Sequence, residues 1–352
     1  MRLSDDSFFT EGLLAWFLQN RRPMPWKGEQ NPYFIWLSEV ILQQTRVEQG
    51  LPYYNRFVAR FPTVELLASA PQDEVMKLWE GLGYYSRARN LHAAAKHIAG
   101  TLGGKFPDTY LGILGLKGVG PYTAAAIASF AYGLPHAVVD GNVIRVLARF
   151  FGISVAADTT VGKRAFSDLA GRLIAADRPG DFNQALMDFG ATVCVPGRPH
   201  CGICPMQSRC YAFREKKVGE LPVKIVKAEK QFRYFNYLVV HAGDDVFIRK
   251  RVARDIWQNL YEFPMIETGS PVDASEPLHS VFVNGWACEL MAVSEAYRQV
   301  LTHRYIVSVF REIRVSADFM PLGDEFIRVH KKKLLNFAFP RTISRYLSDK
   351  KW

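Results

Sequence analysis

The sequence predicts a mainly helical N-terminal region followed by a smaller α/β region. Over residues 1–212, apolar side chains recur at helical spacing, and Gly and Pro separate the segments. Residues 213–230 are charged and poor in aromatic side chains, which is typical of a linker. From residue 231 onward the apolar positions alternate with a period of two, and a turn at Gly243-Asp244 predicts a hairpin. We therefore expect two domains, 1–212 and 231–352.

The apolar faces of individual segments support this division. The helical spacing is clearest in four runs, at Leu13–Phe17, Ile35–Ile41, Leu91–Ile98 and Val143–Leu147. Strands are predicted by alternation at Phe232–Val240, Val246–Ile248 and Tyr305–Val309, and the tail 331–347 is predicted to return to helix. A chain of 352 residues is long enough for two separate hydrophobic cores.

The composition limits the class of protein. Hydrophobic residues make up 49% and charged residues 22%, values that indicate an ordinary soluble globular chain. The N-terminus has no basic stretch followed by an apolar core, and no apolar run approaches membrane-spanning length. We therefore expect a cytoplasmic bacterial protein without membrane association. The net charge of +10 favours a polyanionic partner such as nucleic acid, although a generally basic surface would give the same value.

Four of the five cysteines lie close together, at Cys194, Cys201, Cys204 and Cys210. Thiolates at such short spacings can converge on one metal centre. A disulfide framework is disfavoured because nothing else marks a secreted, disulfide-rich chain. Zinc sites usually offer two Cys-x2-Cys pairs, whereas this array has one such pair with longer spacers. The pattern favours a 4Fe–4S cluster, but the spacing by itself leaves zinc open.

A second motif, at residues 111–133, is a pair of predicted helices joined by a tight turn, a helix–hairpin–helix pattern. A short apolar helix is predicted to end at Leu116, and the turn that follows consists of Lys117, Gly118, Val119 and Gly120. Two glycines permit positive φ angles there, and Pro121 suits the first position of the next helix. Amides beside a helix N-terminus can hold phosphate without reading sequence, so the turn is a candidate contact to a nucleic-acid backbone. The alternative is a plain turn between two helices.

Two carboxylates are predicted to lie in opposite environments. Glu39 falls within an apolar helix, where burial would raise the pKa of its carboxyl group. Asp140 is placed as a helix N-cap before Gly141, where backbone donors and the helix dipole favour its anion. A proton donor and a persistent anion are what cleavage of a glycosidic bond requires. Taken separately, Glu39 could be an exposed helix residue and Asp140 a simple cap.

Several longer motifs occur together in the order found in one enzyme family. They are SEVILQQTRV, GLGYYSRARNL, LKGVGPYTAAAI, VVDGNVIRVLAR, NQALMDFGATVC and the four-cysteine array. In these motifs the chain resembles the helix–hairpin–helix DNA glycosylases, and most closely the MutY-type adenine DNA glycosylases, over its whole length. The resemblance implies a six-helix barrel over 30–136, an iron–sulfur cluster domain from 1–29 and 137–212, and a C-terminal domain similar to Nudix hydrolases.

The resemblance also implies roles for individual residues. Glu39 is expected to protonate the departing adenine and Asp140 to face the developing sugar cation, with Tyr122 and Asn142 supporting them. The related endonuclease III type has a lysine in place of Tyr122, so this chain is expected to remove the base without cutting the strand. The residues expected to contact the DNA or the lesion are Gln44, Thr45, Leu82, Tyr84, Lys117, Gly118, Val119 and Gly120. Trp26 and Gln184 are expected to line the adenine pocket.

The C-terminal domain is expected to recognise 8-oxoguanine through Thr302 and His303. Where the family usually has Phe-Ser-His, this chain has Leu301-Thr302-His303, so the aromatic side chain is replaced. No Glu-rich metal helix of the Nudix type is found between 231 and 352, so phosphohydrolase activity is not expected. The implied partner is double-stranded DNA with A:8-oxoguanine or A:G mispairs, bound by a monomer. The alternatives are a pyrimidine glycosylase with lyase activity and a non-catalytic DNA-binding module.

Overall fold

The computed structural model describes residues 4–225, 229–273, 276–278, 286–321 and 323–352. Its contacts divide the chain into two units. The first unit combines Met1–Ser69 with Asn90–Val226, and the second combines Ala70–Arg89 with Lys227–Trp352. The boundary near residue 226 falls in the segment predicted as a linker, of which 226–228 lie outside the described residues. Ala70–Arg89 was expected in the helical region, but its contacts are with the second unit.

Helices form the first unit, as the apolar spacing predicts. They are α1 Asp5–Gln19, α2 Pro32–Leu42, α3 Val47–Arg60, α4 Val64–Ser69, α6 Ser86–Thr101, α7 Tyr110–Leu114, α8 Pro121–Tyr132, α9 Gly141–Phe151, α10 Thr160–Leu173, α11 Pro179–Thr192 and α12 Tyr211–Arg214, with α5 Gln72–Leu78 and the start of α6 in the second unit. Short 3-10 helices at Cys201–Ile203 and Gln207–Arg209 separate the last cysteines. None of the helices in the described ranges is both long and apolar enough to cross a bilayer.

Helix α8 lies at the centre of the first unit and packs against α2, α7 and α11. Its buried positions include the small side chains of Ala124–Ala128, which allow neighbouring helices to approach closely. A second contact surface brings α1 and α9 against α11, where aromatic and aliphatic side chains from all three form one core. This packing holds the N-terminal ends of α8 and α9 in place, where Tyr122, Asp140 and Asn142 lie, whereas Glu39 lies near the C-terminal end of α2.

The turn between α7 and α8 has the predicted helix–hairpin–helix form, with two differences. Helix α7 ends at Leu114 rather than Leu116. Gly118 has a φ of 79°, but Gly120 has a φ of −98° and is the extended N-cap of α8, so only one of the two glycines needs positive φ. A Cβ on Gly118 would lie 2.5 Å from the Cβ of Asn90, which excludes any side chain there without movement.

The second unit contains one mixed sheet. Its strands are β1 Gln231–Ala242, β2 Asp245–Lys250, β3 Tyr261–Glu262, β4 Met265–Thr268, β5 Cys288–Val293, β6 Tyr297–Val300, β7 Arg304–Val315 and β8 Phe326–His330. The predicted hairpin is confirmed, because His241 pairs with Val246 in antiparallel β1 and β2. Strands β1 and β7 run parallel along their full length at the middle of the sheet. The predicted helical tail is a 3-10 helix at Lys331–Asn336 followed by α13 at Arg341–Asp349.

The segment Ala70–Arg89 is fastened to this unit by polar contacts. The Asp73 carboxylate accepts hydrogen bonds from Lys250 Nζ and, at 2.9 Å, from the Tyr261 hydroxyl. Oε1 of Glu80 accepts a bond of 3.0 Å from the Phe339 amide and one of 3.0 Å from Ser344 Oγ. The C-terminal half of the chain therefore supports the segment that carries two predicted DNA contacts, Leu82 and Tyr84.

Candidate active site

Glu39 lies where two cavities of the first unit meet. The larger cavity has a volume of about 940 Å³, and its lining includes Trp26 and Gln184 as well as Glu39. The smaller has a volume of about 570 Å³ and is lined by Glu39, Tyr122 and Asp140 together with Gly118 and Gly120 of the hairpin. The structure therefore brings the two predicted catalytic carboxyls to one opening, and Glu39 also lines the cavity that holds the predicted base-pocket residues.

Burial raises the pKa of the Glu39 carboxyl to about 7. The negative charge of Asp140 raises it further, while a hydrogen bond from the Tyr122 hydroxyl opposes the shift. Burial also raises the pKa of Tyr122, so this phenol remains a donor, and its oxygen lies 3.2 Å from Met187 Sδ. The predicted apolar surroundings of Glu39 are thus present in α2, and the carboxyl can carry a proton near neutral pH.

Asp140 is the N-cap of α9, as predicted. Its Oδ1 accepts a 2.8 Å hydrogen bond from the Val143 amide, and its Oδ2 accepts a 2.9 Å bond from Asn142 Nδ2. The expectation that this position lowers the pKa of Asp140 is wrong in its net direction. Burial raises the pKa above its ordinary value, and the two hydrogen bonds and the charge of Arg145 only partly oppose that effect. The sequence indicated the cap but not how deeply the cap is enclosed.

Arg145 connects the Asp140 cap with the cysteine region. Its Nη2 donates to Asn142 Oδ1 at 2.8 Å and to the Gly190 carbonyl at 2.6 Å. Its Nε donates to the Cys194 carbonyl at 2.7 Å. Gly190 permits this close approach, because a Cβ there would lie 2.7 Å from the Cβ of Asn142. Asn142 is therefore fixed from both sides, by Asp140 and by Arg145.

The larger cavity contains a polar relay that the sequence analysis did not identify. Nζ of Lys27 donates to Asp188 Oδ2 at 2.6 Å, and Gln184 Nε2 donates to Asp188 Oδ1 at 3.2 Å. Gln184 and Asp188 are four residues apart on α11, a spacing that places them on one face and could have been noticed. Lys27 is 161 positions away in the sequence, so no local pattern indicates that contact.

The four clustered cysteines line one cavity, together with Arg149 and His200. Each carries a free thiol, and Arg149 Nη1 lies 3.4 Å from Cys194 Sγ. Burial raises the pKa of the Cys204 thiol to about 11, so a cation is needed to hold it as a thiolate at neutral pH. Four thiolates on one zinc ion would lie only about 4 Å apart. Over the described ranges, no three His, Cys, Asp or Glu side chains are grouped closely enough for one ion. Four thiols around one cavity are donors that suit either a thiolate-bound iron–sulfur cluster or zinc.

The predicted DNA contacts are divided between the two units. In the first unit Gln44 has a φ of 54°, an uncommon angle for a residue with a side chain, and Thr45 follows it. In the hairpin, Lys117 is exposed, whereas Val119 is buried and its amide donates to the Leu116 carbonyl at 3.1 Å. That amide is already engaged within the hairpin, so the neighbouring glycines and Lys117 are the groups left to meet a phosphate.

In the second unit, Tyr84 and Thr302 are brought together. Their hydroxyl oxygens are 2.8 Å apart, and Tyr84 has a φ of 47° with 47% of its surface exposed. Thr302 and His303 are exposed at the turn between β6 and β7, where the Leu301 amide donates to the Arg304 carbonyl at 2.8 Å. Leu82 is only 5% exposed, so in this conformation Tyr84, and not Leu82, presents its side chain at the surface.

Comparisons with known proteins give the family of the chain. Residues 37–169 match the HhH-GPD superfamily of base excision DNA repair proteins. An adenine DNA glycosylase of Buchnera aphidicola subsp. Acyrthosiphon pisum is 30% identical over 344 residues, which covers 97% of both chains. A second, from subsp. Baizongia pistaciae, is 36% identical over 263 residues, or 73% of each chain. A solved thermostable thymine-DNA glycosylase has a TM-score of 0.56 and 32% identity, covering 60% of this chain and 97% of its own.

The helical unit thus has the fold of the helix–hairpin–helix base excision glycosylases, the class to which its hairpin and paired carboxyls also point. Within that class, relatives that match over most of their own length carry one name. The chain belongs to the adenine DNA glycosylase family and is an enzyme of that kind.

Proposed function

We propose that this enzyme removes adenine mispaired with 8-oxoguanine, or with guanine, by hydrolysing its N-glycosidic bond and leaving an abasic site. One observation carries the proposal. Glu39, with a pKa raised to about 7, lines both a cavity large enough to admit a base and an opening that it shares with Asp140. An acid and an anion on the two sides of the reacting bond are the groups that dissociative glycosidic cleavage needs.

The reaction begins with the adenine turned out of the duplex and into the larger cavity, because the scissile bond is inaccessible within the stack. Protonated Glu39 donates to N7 of the base and so converts it into a better leaving group. The Asp140 carboxylate stabilises the positive charge that develops on the sugar. Glu39, now an anion, then accepts a proton from the water that attacks the sugar. Tyr122 orients Glu39 through its hydrogen bond.

The product distinguishes this proposal from lyase activity. A lysine amine could attack the sugar and form a Schiff base, whereas the phenol of Tyr122 cannot. The DNA strand should therefore stay intact until alkali is added. A duplex with adenine opposite 8-oxoguanine tests this directly. Cutting at the adenine before alkali would show a lyase step, whereas no cutting even after alkali would support the pyrimidine glycosylase or the non-catalytic alternative.

The rate of excision should fall as the pH rises through about 7. Glu39 acts only while protonated, and its carboxyl loses the proton around that pH. Above it, single-turnover excision should decrease by roughly tenfold per pH unit. Duplex binding measured at the same pH values provides the control. A rate that stays constant between pH 6 and 8.5, with binding unchanged, would contradict the assignment of Glu39 as the acid.

For lesion recognition we propose the second unit, which the family resemblance describes as Nudix-like. Thr302 and His303 are exposed at the β6–β7 turn, and the Thr302 hydroxyl touches the hydroxyl of Tyr84. Tyr84, which we propose wedges into the base stack, and Thr302 would together bring hydrogen-bonding groups to the base opposite the adenine. 8-Oxoguanine differs from guanine by one carbonyl and one N–H, and each well-placed contact to a base edge is worth about 1–3 kcal/mol.

The double variant Thr302→Ala with His303→Ala should lose selectivity more than activity. We expect the preference for 8-oxoguanine over guanine, measured as the ratio of single-turnover rates on the two duplexes, to fall about tenfold or more. Ser348→Ala is the matched control, because this exposed hydroxyl also belongs to the second unit. Point variants are preferable to truncation, since the second unit also holds Asp73 and Glu80. An unchanged ratio in the folded double variant would assign lesion reading to the first unit and Tyr84.

We also propose that Cys194, Cys201, Cys204 and Cys210 hold a 4Fe–4S cluster. Their common cavity supports it, as does their spacing, which has one Cys-x2-Cys pair and not the two that zinc sites usually have. When bound, such a cluster supplies redox-capable iron, but adenine hydrolysis transfers no electrons, so its role here is to order the loop. The four thiolates would bind it, and Arg149 beside Cys194 would offset part of their negative charge.

Metal analysis should therefore find iron rather than zinc. Protein prepared anaerobically should contain about four iron and four sulfide per chain and absorb broadly in the visible range. The variant Cys288→Ser is the control, because Cys288 lies on β5, apart from the other cysteines, and its loss should leave the iron content unchanged. Stoichiometric zinc without iron in native protein would overturn the proposal.

A further inference from the structure

The polar relay runs from Lys27 through Asp188 to Gln184, which lines the larger cavity. The relay determines which end of the Gln184 amide faces Asp188. Lys27 has only donors, so the carboxylate that it contacts is held as an acceptor. Asp188 is 5% exposed at its side chain, and Lys27 and Gln184 contact its two oxygens separately. Arg22 Nη1 lies farther away, 3.9 Å from the oxygen that Gln184 contacts. Asp188 can accept from Gln184 but cannot donate to it, so the amide NH₂ of Gln184 must face Asp188.

The other end of the Gln184 amide is consequently an acceptor. Within the described part of the chain, no group donates to Oε1 of Gln184. Gln184 and Glu39 line the same cavity. Among the groups that line the cavity, the protonated carboxyl of Glu39 is therefore a donor and the oxygen of Gln184 an acceptor of fixed orientation.

This pair of groups matches one purine edge and not another. Adenine presents an acceptor at N7 beside a donor, the amine at C6, whereas guanine presents acceptors at both N7 and O6. Hypoxanthine has the same 6-carbonyl as guanine. An acceptor of fixed orientation in the cavity attracts the adenine amine and opposes a carbonyl in that place. An amide free to rotate could not maintain this discrimination.

We infer that Lys27 and Asp188 are positioning residues that fix the orientation of the Gln184 amide and thereby make the cavity selective for a 6-aminopurine over a 6-oxopurine. The inference rests on the proposed function, since it assumes that the excised base enters this cavity. Neither Lys27 nor Asp188 needs to touch the base. Both act through Gln184, and they affect the ratio of the excision rates for 6-aminopurines and 6-oxopurines.

The variant Asp188→Asn tests the inference. It should exchange donor and acceptor between residue 188 and Gln184 while keeping the shape of both side chains. Lys27 can only donate, so the new amide must turn its oxygen toward Lys27 and its NH₂ toward Gln184. Gln184 would then accept from residue 188 and present its own NH₂ to the cavity, which suits a 6-carbonyl. The ratio of adenine to hypoxanthine excision rates, each opposite the same base, should fall about tenfold or more.

Three further proteins make the result decisive. Lys27→Arg keeps a donor-only cation and should retain the wild-type ratio. Asp168→Asn removes an exposed carboxylate of α10 that is paired with Arg164 and should change neither rate. If Asp188→Asn does not fold, Gln184→Leu replaces it, because loss of the acceptor should also reduce the ratio.

The possible outcomes separate the inference from the function on which it rests. Wild-type protein that excises no adenine would contradict the proposed function itself. Wild-type activity with a lowered ratio in Asp188→Asn would support the relay. Equal loss of both rates in folded Asp188→Asn, with the ratio within about twofold of wild type, would show a merely structural role and overturn the inference.

Discussion

Replacing Glu39 with glutamine should nearly abolish base excision while leaving duplex binding intact. The amide has almost the shape of the carboxyl but cannot protonate a leaving base, and general acid catalysis is typically worth about 10²–10⁴-fold. Burial raises the pKa of the native Glu39 carboxyl to about 7, so the wild-type enzyme carries the acidic proton near neutral pH and the variant lacks it. Single-turnover kinetics on a duplex with adenine opposite 8-oxoguanine measures the effect, and titration of labelled duplex measures binding.

Gln43→Glu is not a suitable control for Glu39→Gln, since Gln43 donates to Thr123 at 3.0 Å beside the same opening. A better match is Glu48→Gln, because Glu48 is an exposed acidic residue in the first turn of α3, the next helix. It should keep the wild-type rate. Near-normal excision by folded Glu39→Gln would remove Glu39 from the catalytic role, whatever the behaviour of the control.

The variant Arg145→Met should lose both stability and activity. The guanidinium is 9% exposed as a residue and donates to Asn142 Oδ1 and to the carbonyls of Gly190 and Cys194. Methionine fills part of the volume but leaves those buried acceptors without a donor, at a cost of about 1–3 kcal/mol each. Asn142 would also lose one of its two anchors, so the Asp140 carboxylate that it contacts would be less well oriented. We expect a clearly lower unfolding midpoint and at least a tenfold slower excision.

The matched control for Arg145→Met is Arg164→Met on α10. The Arg164 side chain is 85% exposed, and its ion pair with Asp168 spans 3.6 Å, so its removal should cost well under about 1 kcal/mol. Denaturant unfolding and single-turnover rates should be compared for the two variants. If Arg145→Met were as stable and as active as Arg164→Met, the hydrogen bonds of Arg145 would contribute nothing measurable to folding or to catalysis, and this prediction would be wrong.

Local patterns account for much of the fold. Helical spacing at Ile35–Ile41 and alternation at Phe232–Val240 specify α2 and β1 because each buries one recurring set of positions. The Asp140 cap follows from residue type and from the helix after it. Local patterns do not show how deeply a side chain is buried by elements that are distant in the sequence. Asp140 is buried by elements distant in sequence, so its pKa shifts in the direction opposite to that expected from the cap.

Long-range contacts also explain what was missed in the site. Lys27 meets Asp188, and Arg145 meets Gly190, only because α11 packs against the N-terminal segment and α9. The assignment of Ala70–Arg89 to the second unit has the same cause. Its anchors Asp73 and Glu80 resemble ordinary exposed helix residues until their partners, 177 or more positions away, are known.

The most direct test of the central claim is an excision assay on a matched pair of labelled duplexes, with adenine or thymine opposite 8-oxoguanine. The account predicts that wild-type protein leaves the adenine strand intact until alkali is added, and that alkali then cuts it only at the adenine position. Thymine placed at the same position should not be removed. An uncut adenine strand after alkali, or cutting at thymine instead, would contradict the assignment of this chain as an adenine-excising glycosylase.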